Sequence, residues 1–212
     1  EQAANQTLAR PAPSALLRLI SRSDARLIRR ASDLVEVMLA QLDQLQHDLT
    51  YQGASREIWD IQGSSATPNS EDEITEWLRR QLSSRLTIAT TIDREVQVEP
   101  RRRGIGTRID LSVTTPGATQ PATAPRVITE AKLVTNDTLM TAMHDQLISR
   151  YLIPTGLRYG IYLVYWIPAT QRQTLKRTCT DPGQLLRQLE QQAASAGPDL
   201  RIKPFLLDIT HK

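Results

Sequence analysis

Three successive segments that alternate apolar and polar residues constrain the fold of this chain more than any other feature. They are "DREVQVEP" at 93–100, "RIDLSV" at 108–113 and "RVITEAKLV" at 126–134. A period of two is typical of β-strands, because successive side chains point to opposite faces of a sheet. The segment "TTPGATQPATAP" between the last two contains turn and loop residues throughout, so we expect a hairpin with a long tip.

Apolar residues at helical spacing precede these strands. Between residue 13 and about residue 50, Leu, Ile, Val and Met recur every three or four positions without Gly or Pro. This pattern predicts two helices joined near Ser23 and Asp24, with Ser23 as the cap of the second. Residues 51–70 that follow include "QGSSATPNS", which is a loop composition.

A further helix and the C-terminal elements complete the pattern. Ser70 has the position of an N-cap, with Glu73 as its capping-box partner, for a helix that ends near Leu82. Beyond the three strands, the spacing predicts a helix, a strand, a helix and a final strand at 137–152, 159–167, 181–197 and 200–210. The order from Ser70 onward is therefore helix, three strands, helix, strand, helix, strand, which indicates one main α/β domain.

The composition and the opening residues indicate the cellular compartment in which we expect the protein. The longest uninterrupted apolar run, 161–167, is far shorter than the ~20 residues that a membrane helix needs. The opening residues 1–14 lack the features of a signal peptide. Cys179 is the only cysteine, which excludes an internal disulfide and is usual for a reducing compartment. We therefore expect a cytoplasmic segment of a longer protein that has no membrane partner.

The net charge of +3 is unevenly distributed along the chain. Acidic residues are in excess before residue 100 and basic residues after it. The basic excess includes the cluster Arg101, Arg102 and Arg103, with Arg108 just beyond it. A basic half favours a polyanionic partner, although a solvated surface that aids solubility explains a modest charge equally well.

The strand "VITEAK" at 127–132 places an acid and a base on one face of the sheet. Glu130 and Lys132 are two positions apart, so their side chains point the same way. A hairpin that is symmetrical about Gln120 puts Asp110 opposite Glu130. Two carboxylates that meet in this way repel each other unless a cation lies between them. A divalent metal such as Mg²⁺, with Lys132 beside the substrate, suits the hydrolysis of a phosphodiester.

The segments "RID" at 108–110 and "TEAK" at 129–132 resemble the PD-(D/E)xK nuclease superfamily, whose core is a helix, three strands, a helix and a strand. The resemblance covers roughly residues 70–210. It implies a restriction-endonuclease-like core with the order αβββαβ, in which helices flank a mixed central sheet. We expect a nuclease-like domain at 67–212, preceded by an N-terminal helical extension at 1–66.

The same resemblance implies roles for individual residues. Asp110 and Glu130 would bind the metal together with the backbone carbonyl of Ala131, and Lys132 would be the catalytic lysine. Mg²⁺ or Mn²⁺ would be the cofactor. In this sequence Ile109 takes the place of the proline that gives the superfamily its name.

Two further elements supply candidate residues. Such nucleases often add an acid from the first helix, and Glu71 lies on the apolar face of that helix while Glu73 lies at its margin, so Glu71 is the preferred candidate. Many relatives also carry a Gln and a Tyr on the helix after the lysine strand. Gln146 and Tyr151 are similar, with a spacing one residue longer than the pattern of some branches.

The function implied is metal-dependent hydrolysis of nucleic acid, with DNA preferred over RNA. The domain would be the effector of a larger bacterial protein, in restriction or phage defence. Arg101, Arg102, Arg103 and Arg108 are the expected contacts to substrate phosphates. Upstream domains of the same polypeptide and further copies of the chain are the other expected partners.

Three other interpretations remain open at this point. Glu130 and Lys132 are also compatible with a salt-bridged exposed face of an edge strand, with Asp110 paired to Arg108 or Arg126. The domain is alternatively a nucleic-acid-binding module that kept the fold without the chemistry. In the third interpretation it is a structural domain whose first helices, before Thr50, mediate oligomerisation or pack on another partner.

Overall fold

The structure is a computed structural model that describes residues 28–51, 54–63, 65–86, 90–99, 107–115, 124–172 and 179–211. For residues 54–55, 94–99 and 107–109 it describes the backbone alone. The predicted helix joint at Ser23 and the cluster Arg101–Arg103 lie outside the described residues. Residues 28–30 are described and are not helical, so the second predicted helix does not run continuously from Ser23 and begins at Ala31.

The described elements are helices and strands in a mixed order. In chain order they are α1 (Ala31–Tyr51), a 3₁₀ helix (Ala54–Ile58), β1 (Trp59–Gln62), β2 (Ser65–Pro68), α2 (Glu71–Arg85), β3 (Thr91–Glu99), β4 (Thr107–Thr114), β5 (Arg126–Leu133), α3 (Met143–Leu152), a short helical turn (Ile153–Thr155), β6 (Tyr159–Trp166), a 3₁₀ helix (Ala169–Gln171), α4 (Pro182–Ala194) and β7 (Arg201–Asp208). The predicted order of helices and strands from Ser70 onward is confirmed.

A mixed five-stranded sheet forms the centre of the molecule, in the order β3-β4-β5-β6-β7. The first three strands are antiparallel neighbours, whereas β5, β6 and β7 are parallel. Parallel neighbours need a long crossover, and α3 and α4 supply the two crossovers here. The predicted mixed α/β class is confirmed.

The register between β4 and β5 follows the symmetry predicted from the sequence. Leu111 is opposite Thr129 and Val113 is opposite Val127, so the hairpin is symmetrical about Gln120. The paired residues end at Leu111 and Thr129. The residues one step beyond this last pair belong to the candidate site.

Helices cover both faces of the sheet. The Thr75 hydroxyl of α2 lies 3.0 Å from the Tyr165 hydroxyl, whereas Gly160 packs against Leu147 and Leu152 of the α3 segment. Tyr165 and Gly160 are an odd number of residues apart in β6, so they lie on opposite faces. Crossovers between parallel strands are nearly always right-handed, so α3 and α4, which advance in the same direction along the sheet, lie on the same face.

Helix α1 packs on the same side as α2 and shares the core of the sheet. Its residues Leu34, Met38, Leu42 and Leu45 are fully buried, and they belong to the same hydrophobic cluster as the strands. The predicted domain boundary at 66/67 falls inside β2 and stays a prediction. No helix among the described residues is long and apolar enough to cross a membrane.

The predicted capping box of α2 is confirmed. The Ser70 side chain accepts a hydrogen bond from the Glu73 N–H, and the Glu73 carboxylate accepts one from the Ser70 N–H at 2.9 Å. Both donors would otherwise be left without a partner at the helix start. The helix continues to Arg85, three residues past the predicted end at Leu82.

The loop predicted for residues 51–70 contains regular structure that composition did not indicate. Strands β1 and β2 form a short antiparallel ribbon, and the turn between them begins at Gly63, whose φ of 60° favours glycine. Trp59 anchors the ribbon, since its indole N–H donates to the Ile209 carbonyl at 2.7 Å. This long-range bond does not show in a local pattern of small and polar residues.

Helix α3 differs from the predicted helix in its start and in its geometry. Residues 137–141 form turns instead of helix, because the Asn136 side-chain oxygen accepts hydrogen bonds from the Thr138 N–H and hydroxyl, each at 2.9 Å. From Met143 to Leu152 the helix is π-helical, a geometry in which N–H groups bond to the carbonyl five residues earlier, as the Ile153 N–H does to Ile148. At its start the Asp145 N–H still bonds to the Thr141 carbonyl, four residues earlier. The predicted start of the helix at about residue 137 was wrong, whereas the predicted end at Leu152 is close to the observed one.

Candidate active site

Four charged side chains from three elements meet just beyond the last paired residues of β4 and β5. Glu71 is the first residue of α2, Asp110 lies on β4, and Glu130 and Lys132 lie on β5. The Lys132 ammonium nitrogen (Nζ) is 2.7 Å from Glu130 Oε1, 3.2 Å from Glu71 Oε1 and 3.9 Å from Asp110 Oδ2. One ammonium group is therefore shared by three carboxylates.

Asp110 reaches across to the backbone of β5. Its Oδ2 accepts a hydrogen bond from the Ala131 N–H at 2.8 Å. This bond takes the place of a strand-to-strand bond, because the paired register ends one residue earlier. The end of the pairing thus leaves room for a side chain between the two strands and brings the Asp110 carboxylate beside Glu130.

Glu71 connects the start of α2 to the end of β5. Its Oε2 accepts hydrogen bonds from the Leu133 N–H at 2.7 Å and from the Asn136 side-chain amide at 2.8 Å. Its Oε1 faces Lys132. Glu73, the second candidate acid, is exposed and serves the cap of its own helix, so Glu71 is the acid that joins the cluster.

Glu130 is the most deeply buried of the three acids, with 1% of its side chain exposed. Its Oε2 has no hydrogen-bond partner among the described residues. Burial raises the pKa of Glu130 to about 8, the charge of Asp110 adds to the rise, and Lys132 opposes it. A buried carboxylate with one oxygen unsatisfied costs folding free energy and calls for an explanation.

The pKa values of Asp110 and Lys132 are also shifted by this environment. Burial raises the pKa of Asp110, against the opposing effects of Lys132 and the Ala131 N–H. Burial alone would lower the pKa of Lys132. The neighbouring carboxylates, Glu130 first, have the opposite and larger combined effect, so the pKa of Lys132 is raised. The lysine therefore stays protonated as long as these acids remain charged.

The structure also places the two predicted residues of α3. Tyr151 is buried, and its hydroxyl pKa is raised by burial and then by the charges of Glu130 and Asp110, so it lies within electrostatic range of the cluster. Gln146 is half-buried, and its side chain makes no hydrogen bond to the four charged groups in the part of the chain that the structure describes. The role of Gln146 stays a prediction.

The predicted metal ligands can be compared with what a metal ion requires. In the described part of the chain, no group of three or more His, Cys, Asp and Glu side chains is placed to hold a metal ion. Mg²⁺, however, usually takes only one or two carboxylates and completes its coordination with water and substrate phosphate. Asp110 and Glu130 are such a pair, and Glu130 Oε2, which has no hydrogen-bond partner among the described residues, is free to coordinate a cation.

The structure does not describe the four arginine side chains predicted to contact substrate phosphates. Arg101, Arg102 and Arg103 lie outside the described residues, and of Arg108 only the backbone in β4 is described. Sequence patterns did not single out Asn136, which contacts Glu71. Its only signal was a turn-forming Asn-Asp-Thr sequence directly after the Glu-x-Lys strand.

Comparison of the chain with protein-family models, with curated protein sequences and with solved structures found no match.

Proposed function

We propose that this chain is a metal-dependent nuclease domain that hydrolyses phosphodiester bonds and has a restriction-endonuclease-like core. The observation that carries the proposal is the buried carboxylate of Glu130, with one oxygen unsatisfied, beside Asp110 and Lys132. A buried ion pair of this kind adds little to folding stability, because well-packed apolar groups in the same space are often at least as stabilising. Acids and bases whose pKa values are shifted by burial and by a specific charged partner are candidates for a functional site.

The donor set favours a hard divalent cation. Asp110 and Glu130 would hold Mg²⁺ or Mn²⁺, and the resemblance adds the Ala131 carbonyl as a further ligand. Three carboxylates share one ammonium, so their charge exceeds what Lys132 neutralises. A bound divalent metal would supply the missing positive charge, polarise the phosphate and lower the pKa of a bound water.

Lys132 supplies a second positive charge at the same place. Its ammonium donates hydrogen bonds, and in the proposed reaction it stabilises the negative charge that develops on the phosphoryl oxygens. The ammonium group is nearly buried, with 8% of the side chain exposed, so its field is weakly screened by solvent. In this proposal Asp110 and Glu130 bind the metal ion, and Lys132 stabilises the negative charge on the phosphoryl oxygens.

The proposed substrate is nucleic acid, with DNA preferred over RNA. The basic segment Arg101–Arg103 and Arg108 precedes Asp110 in the chain, so a phosphate backbone held by these residues would pass close to the acids. A place in restriction or phage defence, as the effector of a larger protein, is the corresponding biological proposal.

A cleavage assay with matched variants tests the proposal. The purified chain is incubated with plasmid DNA or with linear RNA, in Mg²⁺, in Mn²⁺ or in EDTA. We expect cleavage with either metal and none in EDTA. The variants Glu130→Gln and Asp110→Asn should lose cleavage while keeping the fold, whereas Glu190→Gln, the same change at an exposed position of α4, should cleave like the wild type.

Three outcomes separate the candidate functions. Metal-dependent cleavage that disappears in Glu130→Gln supports the nuclease. Binding of DNA without cleavage under any metal condition would identify a non-catalytic binding module. Cleavage that persists in both Glu130→Gln and Asp110→Asn at the wild-type rate would show that these acids are not the site.

A further inference from the structure

The carboxylate of Glu71 is held on both of its oxygens by residues at or just after Lys132. Oε2 accepts from the Leu133 N–H and from the Asn136 amide, and Oε1 accepts from Lys132 itself. All three donors lie within five residues of one another at the end of β5, whereas Glu71 belongs to a different element. The start of α2 is thereby fixed to the segment that carries the lysine.

Asn136 is itself fixed in orientation. Its side-chain oxygen accepts hydrogen bonds from the Thr138 N–H and hydroxyl, and its own N–H donates to the Leu133 carbonyl at 2.9 Å. The oxygen of the amide is thus engaged by Thr138, so the NH₂ group points to Glu71. A chain of contacts runs from Thr138 through Asn136 and Glu71 to the Lys132 ammonium.

We propose that Asn136 is a positioning residue that acts through Glu71 to hold the Lys132 ammonium in place, and that Glu71 is a holder of the lysine and not a metal ligand. This inference rests on the proposed nuclease function. Partners of this kind contact the reacting group through one intermediate residue and fix its orientation. Their loss commonly lowers activity about 10–100-fold.

The reason that a holder is needed lies in the competition for Lys132. Glu130 and Asp110 attract the ammonium in the structure, but both are proposed to bind a cation. Once their charge is shared with a cation, their pull on the lysine weakens. Glu71, whose oxygens are occupied by Leu133, Asn136 and Lys132, is then the acid that keeps the ammonium near the scissile phosphate.

The first arm of the test compares two asparagines that flank the start of α2. Asn136 donates to Glu71, whereas the Asn69 side chain donates to the Glu57 carbonyl at 3.2 Å. With duplex DNA at saturating Mg²⁺, Asn136→Ala should lower kcat about 10–100-fold with little change in KM. Asn69→Ala is the control for the loss of an amide hydrogen bond and should keep the wild-type kcat. Equal kcat values for the two variants would overturn the proposal.

The second arm asks whether Asn136 acts through Glu71. In the Glu71→Ala background, the additional change Asn136→Ala should leave kcat nearly unchanged, because its target is gone. Binding of Mg²⁺, measured by calorimetry, should stay close to the wild-type affinity in Glu71→Ala and be lost in Asp110→Ala. A loss of Mg²⁺ affinity in Glu71→Ala as large as that in Asp110→Ala would make Glu71 a metal ligand and overturn the inference.

The third arm measures stability in EDTA, without catalysis. The shift of the urea midpoint caused by Asn136→Ala should be smaller in the Lys132→Met background than in the wild type, although the Asn136 amide donates to Glu71 and not to Lys132. This non-additivity should vanish when Glu71→Ala is also present. Additive shifts would overturn the inference. If the wild type cleaves no nucleic acid, the nuclease proposal fails, and this arm still decides whether the positioning contacts exist.

Discussion

Two networks of charged groups near the start of α2 differ in what they do for the molecule. In the first, Glu73 caps its own helix: hydrogen bonds from the Ser70 hydroxyl, and then from the Ser70 N–H, lower the pKa of Glu73. In the second, burial raises the pKa of Glu130, which keeps one oxygen unsatisfied. The two carboxylates are shifted in opposite directions because one has gained donors and the other has lost water.

The contrast separates a structural network from the one that we propose is functional. The cap is exposed, satisfied and local, since its partners are three residues apart. The site contains a buried acid, Glu130, with one oxygen unsatisfied, and it is built from residues that are up to 61 positions apart. The first network stabilises the fold, whereas the second holds like charges together at a cost in stability, as expected of a site kept for binding and chemistry.

The largest expected effect that tests this contrast is on cleavage. Lys132→Ala should lower the cleavage rate about 10²–10³-fold, because a preorganised donor to the developing charge is removed. Lys132→Arg should not restore it fully, since a planar guanidinium does not replace a compact ammonium. Gel-based cleavage kinetics give the rate, and calorimetry with Mg²⁺ should show that both variants still bind the metal. A loss of metal affinity as large as that in Asp110→Ala would contradict the role of Lys132.

The next effect is on stability as a function of pH. The pKa of Glu130 is raised in the folded protein from an ordinary value of 4.5 to about 8, so the folded state binds its proton more tightly than the unfolded state does. In EDTA, the contribution of this group to stability is full below pH 4.5 and is lost as the pH rises towards about 8. Melting temperatures across this range should therefore fall less steeply for Glu130→Gln than for the wild type. Identical slopes would show that the Glu130 carboxyl is not buried in the folded protein.

A smaller effect is expected at the cap. Ser70→Ala removes the hydroxyl that accepts from the Glu73 N–H and should lower the free energy of unfolding by about 1 kcal/mol. For a chain of this size the melting temperature would fall by about 2–4 °C. Cleavage by the folded variant should persist. If Ser70→Ala abolished cleavage without a loss of stability, the division between the two networks would be wrong.

The smallest effect concerns substrate affinity and sharpens the comparison with a third group of charges, Arg101–Arg103. Changing all three to Ala should weaken DNA binding regardless of sequence and lower the slope of log affinity against log salt by about 0.9 for each phosphate that the variant no longer binds. The cleavage rate at saturating DNA should change less than the affinity. An unchanged slope, measured by fluorescence anisotropy over a salt series, would indicate a solvated turn that touches no phosphate.

Local signals in the sequence predicted much of the fold and part of the site. The Ser70 and Glu73 cap follows from residues three apart, and the strand pairing follows from alternation on either side of one loop. The symmetry of that hairpin is enough to bring Asp110 to Glu130 and Lys132. These features depend on short separations, where a pattern and its physical cause lie in the same segment.

The remaining features depend on contacts between distant segments. Asn136 has a role because α2 meets the end of β5, and its sequence shows only a turn. The ribbon formed by β1 and β2 is anchored by Trp59 on Ile209, near the other end of the chain. Glu71 was preferred over Glu73 from the apolar face of α2, but its two contacts beyond Lys132 were not predictable from periodicity.

The π-helical turns of α3 have a consequence for how spacing in such chains is compared. In this geometry a residue bonds to the one five positions earlier, so Gln146 and Tyr151 stand one above the other as residues four apart do on an α-helix. The additional residue between them lengthens the chain but does not rotate one side chain away from the other. One additional residue of spacing is thus accommodated by a wider helical turn. A motif defined by angle around the helix axis would include this pair, whereas a motif defined by counting positions would miss it.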